Sequence, residues 1–155
     1  MIFVIADDFT GAAELAGISL RYGLSVEVSL DNEVNANTDV LIISTDSRSM
    51  QKAAAIYCTT EAVETIMRYE PAFVYKKIDS VLRGYVIDEA KVQMELSEKN
   101  KAFICPANPS LQRTISNSEY FVNGKKITEQ FWGLNEGYRA IVKVYKKKGL
   151  SDEKQ

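Results

Sequence analysis

With no histidine among its 155 residues, this chain must perform any proton transfer with carboxylates, Lys, Tyr or Cys. Four polar clusters bring such groups together. The first is Asp7-Asp8-Phe9-Thr10-Gly11, the second Thr45-Asp46-Ser47-Arg48, and the third Lys76-Lys77-Ile78-Asp79-Ser80 with Arg83-Gly84. The fourth is Pro106-Ala107-Asn108-Pro109, leading to Gln112-Arg113-Thr114. Asp7 and Asp8 can accept hydrogen bonds from hydroxyls. Arg48, Lys77, Arg83 and Arg113 bring donors and positive charge, and an arginine can grip a carboxylate through two parallel bonds. Gly11 and Gly84 read as opening helices, where free backbone N–H groups favour anions. The mixture suits a polyhydroxylated anion. Each piece also has a plain structural use. Asp7-Asp8 and Asp46-Ser47 can cap helices, Lys76-Lys77 can be a surface pair, and Asp79 with Arg83 can form an i,i+4 ion pair of small value.

What gives the clusters weight is the elements before them. Met1 to Ile5, Ser25 to Leu30, Asp39 to Ser44, Phe73 to Lys76 and Ala102 to Cys105 read as strands, and Val40-Leu41-Ile42-Ile43 has the all-apolar character of a central parallel strand. Gly11 to Tyr22, Gln51 to Tyr69 and Gly84 to Ser97 read as helices, the last with an untidy apolar stripe. Tyr120 to Ile127 carries the Asn123-Gly124 turn signal of a hairpin. The alternation predicts an α/β fold: an open, mostly parallel sheet with helices on both faces, in three α/β/α layers. The four clusters follow strands one, three, four and five. They therefore emerge at the carboxyl edge, where open α/β sheets bind ligands.

The totals exclude several classes. A net charge of −2 argues against a dedicated nucleic-acid binder. No apolar stretch is long enough for a bilayer, and the N-terminus starts on a strand without a leader pattern. Cys58 and Cys105 read as reduced thiols rather than a disulfide framework or metal ligands. The expected location is cytoplasmic, with neither nucleic acid nor membrane as partner. Residues 130–155 leave the alternation and carry Arg139, Lys143, Lys146, Lys147 and Lys148, as a solvated tail would.

Read together, the motifs resemble those of the four-carbon acid sugar kinase family. Ala6 to Ala12 is similar to its opening motif, Thr45 to Arg48 to its second, Lys76 to Gly84 to its third and most specific, and Pro106 to Pro109 with Arg113-Thr114 to its fourth. Val122-Asn123-Gly124-Lys125 resembles the hairpin that follows. The resemblance covers residues 1–129 and implies a substrate-binding domain for threonate, erythronate or oxo-tetronate. It also implies a second domain for ATP and Mg²⁺, of which residues 130–155 show no trace. By motif position, Asp7, Asp8, Arg48, Lys77, Asp79, Ser80 and Arg83 contact the substrate. Arg48 and Lys77 suit its carboxylate, and Asp8, with Asp7 as alternative, suits the attacking hydroxyl as proton acceptor. Tyr85 replaces an Asn of the family pattern, and Gln112 a Gly.

The resemblance therefore implies a sugar-acid-binding domain, inactive alone, with no cofactor of its own and with a separate nucleotide-binding domain or a second copy as partner. Two rivals stand beside it. One is an interaction module with a vestigial pocket. The other is a receiver-like domain phosphorylated on Asp46, which lacks the expected lysine after strand five, where Cys105-Pro106 stands.

Overall fold

Val40, Leu41, Ile42 and Ile43 are all buried, and a strand apolar on both faces must be covered on both. The computed structural model describes residues 1–35, 37–117 and 119–127; the tail expected at 130–155 lies outside them. Strands β1 (Ile2–Ala6), β2 (Val26–Ser29), β3 (Val40–Ser44) and β4 (Val74–Lys77) form a sheet in the order β2-β3-β1-β4. Every pairing in it is parallel.

Side chains alternate across this sheet, and each face has its own cover. Val4, Ala6, Val40 and Ile42 pack on Ala12, Leu15 and Ala16 of helix α1 (Phe9–Arg21). Phe3, Ile5, Leu41 and Ile43 pack on Ala62, Val63 and Ile66 of α2 (Lys52–Met67), with Leu96 of α3 (Val86–Leu96) against the same cluster. The layers are therefore α/β/α, and each fully buried Ile or Leu contributes about 1.5–3 kcal/mol. No helix among the described residues is long and apolar enough to cross a membrane.

Two features differ from the expected pattern. Residues 102–105 do not form a fifth strand. They offer the core only Ile104, which packs beside Leu82 and Val86, while Phe103 is 91% exposed. One half-buried side chain gives little drive to close a ladder, and a short apolar run does not by itself specify one. Among the described residues, strand β4 is consequently the edge of this sheet. The chain instead builds a small antiparallel sheet from β5 (Arg113–Ser116), β6 (Glu119–Val122) and β7 (Lys125–Lys126). The β6–β7 hairpin was expected from Asn123-Gly124, whose φ values of 51° and 72° are those of its turn; β5 was not.

Candidate functional site

The sheet register brings the clusters together. Ala6 is paired with both Ser44 and Lys77, so Asp7, Thr45 and Ile78 leave the sheet side by side. Backbone bonds then join the loops: Thr45 N–H donates to the Ala6 carbonyl at 2.9 Å, and Arg48 N–H to the Asp7 carbonyl at 3.0 Å.

Arg48 is the centre of the arrangement. Its Nε and Nη2 donate to the two oxygens of Asp7 at 3.0 and 2.7 Å, and its Nη1 donates to Asp8. Nη1 also lies 3.8 Å from Asp79. The fork expected to grip a substrate carboxylate is thus already closed on the protein's own. Asp8 has a second task as cap of α1, its Oδ1 accepting from Gly11 N–H at 2.8 Å. Function and capping were alternatives in the sequence, and Asp8 does the capping while facing Arg48. The same bond corrects the expectation that Gly11 offers a free N–H to an anion. What Gly11 supplies is room: a Cβ there would lie 2.8 Å from Asp8 Oδ1 and 3.1 Å from Lys77 Cγ.

Asp79 organises the third motif. It accepts from Val81 N–H at 3.2 Å and Arg83 N–H at 3.0 Å, and it forms a two-point pair with Arg83 at 3.0 and 2.9 Å. The expected i,i+4 pair exists, but it sits in a loop, not in a helix. Gly84 follows with φ 81°, and a Cβ there would meet the Arg48 backbone at 3.3 Å. It precedes α3, whose cap position is Tyr85, so its role is the turn and the close approach rather than helix opening.

Asp7 and Asp79 respond differently to similar arginine partners. Burial is the largest influence on each. It pushes the Asp7 carboxyl up despite Arg48, whereas Arg83, through its side chain and backbone, together with Arg48, overcomes it and holds Asp79 below its ordinary value. Asp79 gains from Arg83 both a side-chain and a backbone hydrogen bond, whereas Asp7 has only the Arg48 side chain and also faces the Glu89 charge; hydrogen bonds to the charged form favour it. Burial would lower Arg48, but its three aspartates outweigh that and raise it.

Lys77 is differently placed. Its Nζ is 3.1 Å from the half-exposed Glu14 of α1, and its side chain is 20% exposed. Ser80 is held from the other side: Arg113 Nη1 donates to its Oγ, and Tyr120 Oη donates to its carbonyl. The Arg83 side chain is 63% exposed, so its outer face remains available to solvent. The cleft thus brings Asp7, Asp8, Arg48, Lys77, Asp79, Ser80 and Arg83 to one edge. Asp46 stays outside, exposed and left-handed at φ 49°, making no side-chain cap bond. The carboxylates present are already neutralised by arginine and cap bonds. Such a donor set does not fit Mg²⁺, which needs oxygens free to coordinate.

Several participants were not anticipated. Lys76 is not the surface residue expected; its side chain is only 9% exposed and its Nζ stands 2.6 Å from Glu89 of α3. Glu89 also accepts from Ser47 Oγ at 2.8 Å. The untidy stripe of α3 was the only trace of this inward-facing charge. Gln112, where the family pattern has glycine, adopts φ 53°, a conformation glycine takes without strain. A separate crevice of about 650 Å³ follows the β4 edge, lined by Phe73, Tyr75, Gln93 and residues 101–108 among others. It touches Lys77 and Ser80 but not Asp7, Asp8, Arg48 or Asp79.

The family model of the sugar-binding N-terminal domain matches residues 2–132. The chain is 37% identical over 134 residues to a D-threonate kinase of Salmonella typhimurium, covering 83% of this chain and 31% of that protein. It is 31% identical over 134 residues to a 3-oxo-tetronate kinase of Brucella melitensis, covering 81% and 30%. A crystal structure of a domain of unknown function from Bordetella bronchiseptica, a domain-swapped dimer with bound citrate, superposes with a TM-score of 0.73. That match is 30% identical and covers 83% of this chain and 34% of the other. The chain therefore spans about a third of the length of the relatives it matches.

Proposed function

This chain belongs to the sugar-binding N-terminal domain family of the four-carbon acid sugar kinases, and from that premise we propose that its strand-end cleft binds a short polyhydroxylated carboxylic acid. The candidates are threonate, erythronate and 3-oxo-tetronate, the acids named for its relatives. The observation that carries the reading is the convergence of three loops on Arg48, with Lys77 beside them in a weaker pair. Lys77 receives the acid's carboxylate by exchanging Glu14 for it, and Arg83 contributes its exposed face. Asp8, whose side chain is 19% exposed, accepts from the sugar hydroxyls with the lone pairs that its single bonds to Gly11 and Arg48 leave over, and it is the acceptor for the attacking hydroxyl's proton. Arg48 holds Asp7 and Asp8 in place, and Ser80 lines the cleft.

Phosphoryl transfer depends on positioning and charge stabilisation around a nucleotide. In this reading residues 1–127 supply the acid's side only. ATP and Mg²⁺ are bound by a separate nucleotide-binding domain, and the described residues alone are inactive. A kinase drawing on ATP, with free Cys58 and Cys105, belongs in the cytoplasm. The citrate-bound, domain-swapped Bordetella structure supports both an acid ligand and self-association.

Calorimetry tests the ligand class by comparing D-threonate with threitol, which keeps the hydroxyls and lacks the carboxylate. D-threonate is expected to give saturable heat that threitol and the Lys77→Met variant do not. Equal response to both compounds, or an unaltered Lys77→Met titration, would remove the acid reading.

A further inference from the structure

Beneath the cleft lies a charged pair that the proposed ligand contacts do not use. Lys76 Nζ stands 2.6 Å from Glu89 Oε2, with side-chain exposures of 9% and 1%. The approach is off the hydrogen-bonding directions, so neither atom has an aligned hydrogen-bond partner among the described residues. The other Glu89 oxygen accepts from Ser47 Oγ at 2.8 Å, and Ser47 in turn accepts from Thr45 Oγ1 at 2.9 Å. A buried ion pair is a poor stabilising device, since well-packed apolar side chains often serve stability as well or better. Its value here is better sought in what it touches.

Ser47 is the residue before Arg48, and Lys76 the residue before Lys77. Glu89 therefore grips the immediate neighbours of two of the cleft's three cations, Arg48 and Lys77. The backbone carries the connection onward. Arg48 N–H donates to the Asp7 carbonyl at 3.0 Å, and Asp7 N–H to the Lys77 carbonyl at 3.4 Å. Helix α3 packs on α2, so Glu89 is mounted on a rigid layer, as a group that orients other groups must be.

We infer that Glu89 is a positioning residue for the cleft: by binding Ser47 and Lys76 it sets the place of Arg48 and Lys77 relative to Asp7 and Asp8. Its consequence for ligand affinity rests on the sugar-acid reading; its consequence for Arg48 does not. The full chain is measured by NMR, with and without D-threonate, as wild type and as the charge-free double variant Lys76→Met/Glu89→Leu. In the wild type, Arg48 Nε–H exchange is slowed by its bond to Asp7. In the double variant this exchange is expected to be about tenfold faster while core amides of β1 and β3 stay protected. D-threonate affinity is expected to fall about tenfold. An unchanged Arg48 resonance and exchange rate in a folded double variant would reduce the pair to a stabilising contact and overturn the inference. If the double variant does not fold, Ser47→Ala decides, because it keeps both charges. Faster Arg48 exchange there, restored by Ser47→Thr, supports the inference, and no change overturns it. Absence of any D-threonate response in the wild type defeats the sugar-acid reading, while Arg48 exchange still judges Glu89.

Discussion

Arg48 and Lys77 stand at neighbouring strand ends and belong to opposite kinds of structure. Arg48 is sunk among Asp7, Asp8 and Asp79, with its fork closed on one carboxylate. Lys77, at the end of β4, pairs with a half-exposed Glu14. Around Arg48 the chain is fully knit. Along β4, one carbonyl of the edge, that of Val74, is met by Gln93 Nε2 at 3.0 Å, and Phe73, Tyr75 and Phe103 are exposed. The difference teaches that a cationic side chain in a motif can be either scaffold or ligand contact, and that its existing partners tell which. A charge already paired inside the protein costs much to remove and has little left for a ligand. A charge with a solvated partner is the reverse.

The largest effect should follow from removing the scaffold cation. Arg48→Ala leaves Asp7 and Asp8 without their partner and is expected to cost about 3 kcal/mol of stability, read from urea denaturation. Lys77→Met should cost less than about 1 kcal/mol while removing most D-threonate affinity. Equal stability losses in the two variants would erase the distinction.

The next effect separates Asp79 from Asp7. Asp79→Asn should cost about 2 kcal/mol near neutrality, since the lost acceptor bonds are to a charged group. Asp79 is held below 3.8 in the folded chain. Its contribution is therefore present above 3.8 and lost as pH falls through the lower folded value. Asp7 is raised above 3.8, so the folded chain holds that proton more tightly. The penalty for its charge is absent below 3.8 and grows as pH rises through the folded value. Denaturation from pH 2.5 to pH 6 of wild type, Asp79→Asn and Asp7→Asn should give pH slopes of opposite sign for the two differences. Slopes of the same sign would contradict the assigned causes.

The smallest effect lies on the hairpin side. Gln112 occupies the left-handed region, so Gln112→Gly should relieve strain and stabilise the chain by about 0.5 kcal/mol after glycine's own entropy cost. A loss of stability in thermal melting would show that the Gln112 side chain contributes more than its backbone costs.

These contrasts also mark how far the sequence could be read. The Val40–Ile43 run and the periodicity of α1 and α2 are local signals, and the layers follow from them. The convergence of Asp7, Lys77 and Arg48 follows from parallel topology, which places every strand's exit at one edge. The partnership of Arg48 with Asp7 was not legible, because it joins residues 41 apart in sequence and depends on how deeply the second loop sinks. Glu89 was hidden for the same reason: its partners Lys76 and Ser47 lie on other elements, and alone it looked like a flaw in an apolar stripe. The Ala102–Cys105 strand was over-read, since β-rich composition describes a side chain's preference and not whether a ladder awaits it. At Gln112 the sequence showed only a departure from the family's glycine; the left-handed backbone that makes glycine apt there came from the structure.

The central claim, that the strand-end cleft and not the β4 edge receives the acid, is tested most directly by a backbone-amide NMR titration of the wild-type chain with D-threonate. The account predicts saturable shifts at Gly11, Lys77, Ser80 and Arg83 with a midpoint of about 1 mM, and little change at Phe73 or Phe103. Saturable shifts confined to Phe73, Tyr75 and Phe103, or none at any residue, would contradict it.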